Sequence, residues 1–173
     1  MSLKQGFLRS PLEFSRVSSG FSEAREHPVF RDTRPHTGID FAAPTGTPVH
    51  ATGPGVVAFV GNQGGYGNLV ILKHEKGIST LYGHLSAFAP GLKQGLKVQQ
   101  GQLIALVGET GWATGPHLHY EYRINNVFQD PERVAMPEGP SLGGSQLSSF
   151  LARTAPVMAL LEQDVPSGQA LGD

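Results

Sequence analysis

Two patterned groups of histidines contain the side chains of this sequence that are best suited to chemistry. His36 precedes Asp40 by four positions, and His117 precedes His119 by two. Side chains alternate between the two faces of an extended strand, so residues an even number of positions apart can share a face. Two adjacent strands carrying these pairs would bring imidazole nitrogens and a carboxylate oxygen to one point. Those are the donors of a catalytic zinc, which takes three protein ligands and keeps one position open.

Either pair alone is weak evidence for a metal site, because an isolated His-x-His is more often structural. The two pairs together make a stronger case, and His84 adds to it in Gly83-His84-Leu85, at the end of a β-type run between them. The helical His-Glu-x-x-His zinc signature is absent from the sequence. A general base must therefore come from elsewhere, and histidines that do not bind metal are the natural supply.

The elements that must position these residues are predicted to be strands. Between about residues 16 and 124, β-type runs alternate with turn residues, and the chain contains 23 Gly and 13 Pro. That pattern is typical of short strands joined by tight turns. The predicted strand runs are residues 55–61, 68–74, 78–82, 102–108 and 117–124. The fold is thus expected to be mainly β: an antiparallel sheet domain with a zinc-containing groove and a small C-terminal helical tail.

Composition excludes several other classes of protein. The chain has no cysteine, which rules out disulfides, cysteine nucleophiles and thiolate metal sites. Its formal net charge of -1 gives no indication of binding to nucleic acid or to an anionic membrane surface. No apolar run is long enough for a membrane-spanning helix, and the first residues lack the pattern of a signal peptide. Because Met1-Ser2-Leu3 resembles a cloning leader, we expect a domain taken from a longer precursor.

Changes in composition along the chain predict three segments. Residues 1–15 are expected to form a leader or N-terminal extension, residues 16–138 the sheet domain, and residues 139–173 a linker and helical tail. Apolar side chains of the tail fall at helical spacing, and Pro156 is expected to bend or split that helix. Residues after Asp164 are predicted to be disordered.

Three motifs of the predicted sheet domain resemble the signatures of the LytM/lysostaphin-type peptidoglycan endopeptidases. They are His36-x-x-x-Asp40, Gly83-His84-Leu85-Ser86 and Thr114-Gly115-Pro116-His117-Leu118-His119. The resemblance extends from about Ser18 to Pro131, and the motifs are specific in order and spacing. Residues 10–21 are similar to family members from Gram-negative envelopes, whereas residues 22–25 depart from the glycine and basic pair common in relatives.

The resemblance implies a zinc metalloendopeptidase that hydrolyses peptide cross-links of bacterial peptidoglycan. It implies that His36, Asp40 and His119 bind one zinc ion, and that His84 and His117 are catalytic histidines that do not bind it. One histidine would assist attack by water held at the open metal position, with the roles of the two left open.

The same resemblance implies where the protein acts and on what. The partners would be peptidoglycan peptide stems, with D-alanyl–diaminopimelate bonds favoured over glycine bridges. The location would be the periplasm or cell envelope, and a longer precursor could carry a regulatory region.

Two further side chains are weaker candidates for substrate binding. Trp112, in the loop before His117, is predicted either to line a substrate groove or to pack within its loop. Arg123 shares the face of His117 and His119 by alternation, which makes it a candidate for binding a substrate carboxylate. An ion pair between Arg123 and Glu121, on the same face, is the favoured alternative.

The remaining patterned residues have structural interpretations. His27 and His50 lie beside prolines without a partner pattern, and His74 is also expected to be structural. The residues that alternate with the histidines of the last strand face the other way and are predicted to be core: Leu118, Tyr120 and Tyr122.

Two other classes of function remain to be weighed. A domain of this kind can act as a non-catalytic peptidoglycan-binding or activator module of wall hydrolases, but the five key positions are intact here. The hairpins between residues 55 and 108 also resemble a lipoyl or biotinyl carrier domain. No lysine of this chain is flanked by methionines, as such a carrier commonly requires.

Overall fold

The structure is a computed structural model that describes residues 6–13, 16–26, 33–136 and 144–163. The chain divides into two compact units, Met1–Gly139 and Pro140–Asp173, which we describe separately. His27 and the predicted disordered end lie outside the described residues, as does the first part of the predicted N-terminal extension.

The described residues of the first unit form twelve strands. They are β1 (Arg16–Ser19), β2 (Ser22–Glu26), β3 (Thr33–His36), β4 (Ile39–Ala42), β5 (Pro48–His50), β6 (Gly55–Asn62), β7 (Asn68–Lys73), β8 (Ile78–Phe88), β9 (Lys97–Val98), β10 (Leu103–Val107), β11 (His117–Ile124) and β12 (Val127–Gln129).

Most of these strands belong to one antiparallel sheet, as the sequence predicted. The main path of the sheet is β1-β4-β11-β8-β7-β6-β9, while β10 pairs with β5 and β8, and β12 pairs with β11. Strands β2 and β3 form a separate two-stranded sheet. The central position of β11, between β4 and β8, brings the second histidine pair next to the strand that carries Asp40.

One face of the sheet packs into an apolar core. Leu118 and Tyr120 of β11 are fully buried there, as predicted, and they belong to the same cluster as Tyr82. Phenol hydroxyls in this core are satisfied internally, since Thr52 Oγ1 lies 3.0 Å from Tyr82 Oη and 3.1 Å from Tyr120 Oη. Tyr122, also fully buried, packs in a second cluster with Ile78. Packing of these core residues holds β11 in one register, and the register determines which side chains lie on its opposite face.

Strand β8 is longer than predicted and contains an irregularity at His84. Val70 pairs with Tyr82 but Asn68 pairs with Leu85, so β8 has one extra residue between these two points. His84 has a φ of 59°, in the left-handed region that few non-glycine residues adopt. The bulge lets the strand continue to Phe88 while it redirects the His84 side chain.

The first histidine pair differs from the simplest expectation, because His36 and Asp40 do not share a strand. His36 ends β3 and Asp40 lies in β4, with a turn between them. Gly38 of that turn packs so closely against β11 that a Cβ atom would collide with the Tyr120 carbonyl oxygen. The turn therefore depends on glycine, and it brings the two side chains together from different strands.

The described residues of the second unit form one helix, α1 (Gly144–Gln163). The sequence predicted that Pro156 would bend or split this helix. Pro156 lies inside it and the helix continues past this residue, so the helix is not split there. Thr154 Oγ1 donates to the Phe150 carbonyl oxygen at 3.0 Å in the turn before the proline. In the part of the chain that the structure describes, no helix has both the length and the apolar character needed to cross a membrane.

Candidate metal centre and groove

Side chains from three strands meet at one point: His36 from β3, Asp40 from β4 and His119 from β11. Asp40 Oδ1 lies 3.0 Å from His36 Nε2 and 2.9 Å from His119 Nδ1, and the two nitrogens are 3.2 Å apart. Both histidines are buried, and the Asp40 side chain is 13% exposed. The register of β4 against β11 explains this meeting, because it pairs Asp40 with His119.

The outer nitrogen of each of these histidines is held by an acceptor. His36 Nδ1 donates to the Gly20 carbonyl oxygen at 2.7 Å, and His119 Nε2 donates to Glu121 Oε1 at 3.1 Å. In the neutral imidazoles the proton therefore lies on the outer nitrogen, and the inner nitrogen presents a lone pair. Two such lone pairs and the Asp40 carboxylate oxygen face one another, which is unfavourable unless a cation lies between them.

The spacing of the three donor atoms suits a small divalent metal ion. Bonds of about 2.0–2.1 Å in tetrahedral geometry separate ligand atoms by roughly 3.3–3.4 Å. The observed separations of 2.9–3.2 Å are close to that value. Two nitrogens and one carboxylate oxygen also leave a fourth position open, as in catalytic zinc sites. His36, Asp40 and His119 can therefore hold a metal ion.

The electrostatics of the three residues favour positive charge at this point. Burial alone would raise the pKa of the Asp40 carboxyl, but hydrogen bonds from His119 and His36 outweigh it and hold that pKa well below its usual value. For His119, burial is outweighed by Asp40 and Glu121, which raise its pKa to about 9. The two carboxylates thus stabilise a cation beside them, and a metal ion supplies that charge while leaving the imidazoles neutral.

His84 and His117 lie beside this cluster without belonging to it. Their ring centroids are 4.6 Å apart, and His117 Nε2 is 3.8 Å from Asp40 Oδ1. His84 Nδ1 donates to the Thr110 carbonyl oxygen at 2.7 Å, and His117 Nδ1 donates to that of Gly115 at 2.8 Å. Each neutral ring therefore keeps Nε2 as an unprotonated atom.

Burial is the main cause that lowers the pKa of His84 to about 4. The neighbouring His117 and His119 add to the effect, because a charge on His84 would be repelled by a charge on either ring. The imidazole of His84 is therefore neutral at physiological pH and can accept a proton.

A groove with a volume of about 670 Å³ passes over these residues. Trp112 lies in its wall and is 53% exposed. The indole lies over Gly65, where a Cβ atom would be only 2.6 Å from the ring, and the Trp112 amide donates to the Gly65 carbonyl oxygen at 2.8 Å. Trp112 therefore does both things that the sequence left open: it packs within its loop and it lines the groove.

Arg123 is not among the described residues that line this groove. Its Nε donates to Glu121 Oε2 at 2.8 Å, its Nη2 contacts the same oxygen, and its guanidinium carbon lies 4.5 Å from the centre of the Phe128 ring. The ion pair with Glu121 is therefore the arrangement found, and the alternative of a substrate contact has no support from the position of Arg123.

Two groove residues that contact Glu121 were not identified from the sequence. Tyr66 and Thr37 both line the groove and both donate to Glu121 Oε1, at 2.9 Å and 2.5 Å. Burial and the charge of Glu121 raise the pKa of Tyr66 to about 12, so its hydroxyl stays a donor. The position of Thr37 directly after His36 was a usable signal, whereas Tyr66 lies in a glycine-rich turn that only the fold brings to the site.

The two other histidines that the structure describes, His50 and His74, do not belong to the cluster. His74 Nδ1 donates to the Pro54 carbonyl oxygen at 2.7 Å, and its Nε2 lies 2.8 Å from Thr80 Oγ1. His50 is half-buried in β5. His74 is structural, as predicted.

The sheet, the groove and the three-donor centre are those of a metallopeptidase domain, and comparison with known proteins agrees. Residues 34–131, which are more than half of the chain, match Peptidase family M23. This range includes the five residues that the motifs singled out: His36, Asp40, His84, His117 and His119. The chain belongs to Peptidase family M23. This confirms the resemblance that the sequence motifs indicated.

Named relatives and a solved structure extend this assignment. DD-carboxypeptidase/endopeptidase Mpg of Neisseria meningitidis is 49% identical over 158 residues, which are 91% of this chain and 36% of that protein. Peptidoglycan DD-endopeptidase ShyC of Vibrio cholerae is 42% identical over 161 residues, or 93% of this chain and 37% of that protein. The crystal structure of a zinc-containing peptidase from Vibrio cholerae is 39% identical with a TM-score of 0.72, covering 78% of this chain and 41% of that one. The chain thus spans about a third of the length of these curated relatives.

Proposed function

We propose that this chain is a zinc metalloendopeptidase domain that hydrolyses peptide cross-links of bacterial peptidoglycan. The observation that carries the proposal is the convergence of His36 Nε2, Asp40 Oδ1 and His119 Nδ1 within 3.2 Å of one another. Two histidines outside that cluster and an open groove supply what hydrolysis needs besides the metal.

The three converging side chains are the proposed zinc ligands. Their donor set and separations fit zinc, and the fixed tautomers aim a lone pair from each imidazole. Zinc bound there would lower the pKa of water at its open position and polarise a carbonyl oxygen.

His84 and His117 are the proposed catalytic histidines. Each has its Nδ1–H tied to a backbone carbonyl, so each offers Nε2 to the groove side of the metal centre. One can remove a proton from the attacking water, and the charged ring that results can donate to the oxyanion or to the leaving amine. Two histidines side by side allow these tasks to be divided within one turnover.

The proposed substrate is the peptide stem of peptidoglycan, and a D-alanyl–diaminopimelate bond is the proposed point of cleavage. An open groove that continues past the metal centre can hold chain on both sides of a scissile bond. The names of the Neisseria and Vibrio relatives, which refer to DD-peptidase activity, support that bond over a glycine bridge. Action on peptidoglycan places the proposed site of work in the periplasm or cell envelope.

One experiment tests both the metal and the bond. The purified protein is assayed for zinc by mass spectrometry, and it is incubated with sacculi containing D-alanyl–diaminopimelate cross-links and with sacculi containing glycine bridges. We expect one zinc ion per chain and mass-identified products from the first substrate only. Asp40→Asn, which keeps the shape of the side chain, is the matched control. A zinc-loaded chain that binds sacculi but releases no product from either would instead support the non-catalytic binding module.

The groove proposal makes a separate prediction for Trp112. Trp112→Ala removes an exposed aromatic wall without touching the metal centre, so we expect KM to rise roughly 5- to 30-fold, equivalent to about 1–2 kcal/mol of binding, with kcat little changed. Steady-state kinetics with a purified cross-linked muropeptide measure this. An unchanged KM would show that the indole only packs on Gly65.

A further inference from the structure

Glu121 is a fully buried carboxylate whose hydrogen bonds lead directly to the metal centre. Its Oε1 accepts from His119 Nε2 at 3.1 Å, Tyr66 Oη at 2.9 Å and Thr37 Oγ1 at 2.5 Å. Its Oε2 accepts from Nε and Nη2 of the Arg123 guanidinium. A carboxylate buried to this extent is tolerable only because every oxygen is paired.

His119 differs from the three other histidines at the site in the group that holds its outer nitrogen. The outer nitrogens of His36, His84 and His117 all donate to backbone carbonyls. Only His119 donates to an ionised side chain. A carboxylate makes the imidazole a stronger ligand than a neutral carbonyl does, because it stabilises the positive charge that metal binding draws onto the ring.

His119 also uses the opposite nitrogen toward the centre. His36 points its Nε2 at Asp40, whereas His119 points its Nδ1 there. This turns the Nε2–H of His119 into the protein interior, where an unpaired donor would be costly. Glu121 supplies the acceptor that makes this ring orientation stable.

We propose that Glu121 is a positioning residue for the metal centre: it selects the His119 tautomer that binds metal through Nδ1, and Arg123 holds it in place for that task. Arg123 then affects the metal only indirectly, because it holds Glu121, which in turn orients His119. The proposal uses zinc as the proposed function does, but it concerns retention of the ion and does not depend on any substrate.

The direct test is the zinc affinity of Glu121→Gln. Glutamine has the same shape but one oxygen and one NH₂ group, so in either orientation a donor faces His119 or Arg123. We expect the zinc Kd, measured by competition with a chromogenic chelator, to rise about 10- to 100-fold. Tyr66→Phe is the matched variant, since it removes a different donor from the same Oε1 and should change the Kd far less.

A purely structural role for Glu121 is separated by a second control. Val49→Ala opens the buried core away from the centre and lowers stability without touching any ligand. If Val49→Ala weakens zinc binding as much as Glu121→Gln, or if Glu121→Gln folds and binds zinc like the parent, the proposal is overturned.

A measurement on the unaltered protein covers the case in which Glu121→Gln does not fold. Nitrogen-15 NMR of the zinc-loaded chain should show His119 protonated at Nε2 and ligated through Nδ1, with His36 ligated through Nε2. The opposite tautomer of His119 would overturn the proposal. A zinc-loaded chain with these tautomers but no activity on peptidoglycan would contradict the proposed function and leave this inference standing.

Discussion

The two faces of β11 differ in how their buried polar side chains are hydrogen-bonded. On one face, Tyr120 and its neighbours bury hydroxyl groups that bond one another through Thr52. On the other face, the imidazoles of His117 and His119 are bonded at the outer nitrogen by a carbonyl and a carboxylate. The Tyr122 hydroxyl on the core face is the exception, because it is buried without a hydrogen-bond partner among the described residues. The other polar groups named here are paired on both faces.

The two faces differ in whether lone pairs remain available once these hydrogen bonds have formed. In the core the bonded hydroxyls point at each other, and the network is closed. On the groove face each ring is bonded at one end, and its second nitrogen keeps a lone pair directed at the metal centre or the groove. In a site of this kind, one nitrogen of each imidazole is held by a hydrogen bond and the other nitrogen stays available for chemistry.

The largest effect should follow from removing one of the proposed metal ligands. His36→Ala, Asp40→Ala and His119→Ala each remove one of the three proposed metal donors, so we expect loss of the metal and a decrease in activity of at least about 10³-fold. Metal analysis of each purified variant, together with muropeptide cleavage, checks this. A variant that retains both zinc and activity would remove that residue from the ligand set.

A smaller loss should follow on the same face when ligands are spared. His117→Ala and His84→Asn should retain zinc and lose about 10²–10⁴-fold in turnover, because they remove a proton acceptor and leave the metal donors intact. Asparagine is chosen at position 84 because it tolerates the left-handed backbone found there. Loss of zinc comparable to that of the ligand variants would contradict the division into ligands and catalytic histidines.

The core face should respond in stability and not in chemistry. Leu118→Ala leaves a cavity in a fully buried site between His117 and His119 in sequence, and should lower the free energy of unfolding by about 2–5 kcal/mol. We expect turnover per folded, zinc-loaded molecule to remain near that of the parent at a temperature well below unfolding. Denaturant unfolding and kinetics on the same sample measure the two quantities. A large decrease in turnover would mean that the two faces are coupled.

The smallest effect should be a pH dependence that comes from the core-side histidine, His74. Burial lowers the pKa of His74 below its usual value of about 6.5, so the unfolded chain binds a proton at this residue at a higher pH than the folded chain does. The contribution of His74 to the free energy of unfolding is therefore fully present above about pH 6.5 and declines as the pH falls below that value. Unfolding free energies of the parent and of His74→Gln, compared between pH 8 and pH 5, should show the smaller decline in the variant. Parallel curves would show that His74 does not contribute.

The sequence predicted the sheet and the meeting of His36, Asp40 and His119 well because both depend on local patterns. The alternation in residues 117–124 separates core from groove side chains, and β11 occupies that range. The spacing of the histidine pairs likewise pointed to one metal centre, and His36, Asp40 and His119 do meet.

The sequence could not predict features that depend on distant contacts. The acceptors that fix His36 and His84 are backbone carbonyls of Gly20 and Thr110, and a carbonyl has no signature in residue type. Tyr66 joins Glu121 only because the fold brings the turn between β6 and β7 against the distant strand β11. For Pro156 the sequence left a bent helix and a split helix open, and α1 is continuous through this residue. A proline removes one hydrogen bond of a helix, and the surrounding turns can tolerate that loss.

The left-handed backbone of His84 has a consequence for how this domain can change over time. A side chain with a Cβ atom in that conformation costs roughly 1 kcal/mol or more relative to glycine. Replacement by glycine would relieve that cost, so this stabilising change in β8 would also remove a proposed catalytic group. Selection for stability and selection for activity therefore act in opposite directions at this position. A domain that no longer hydrolyses its substrate would be free to relax there, and a glycine or asparagine at position 84 would mark a lineage that had done so.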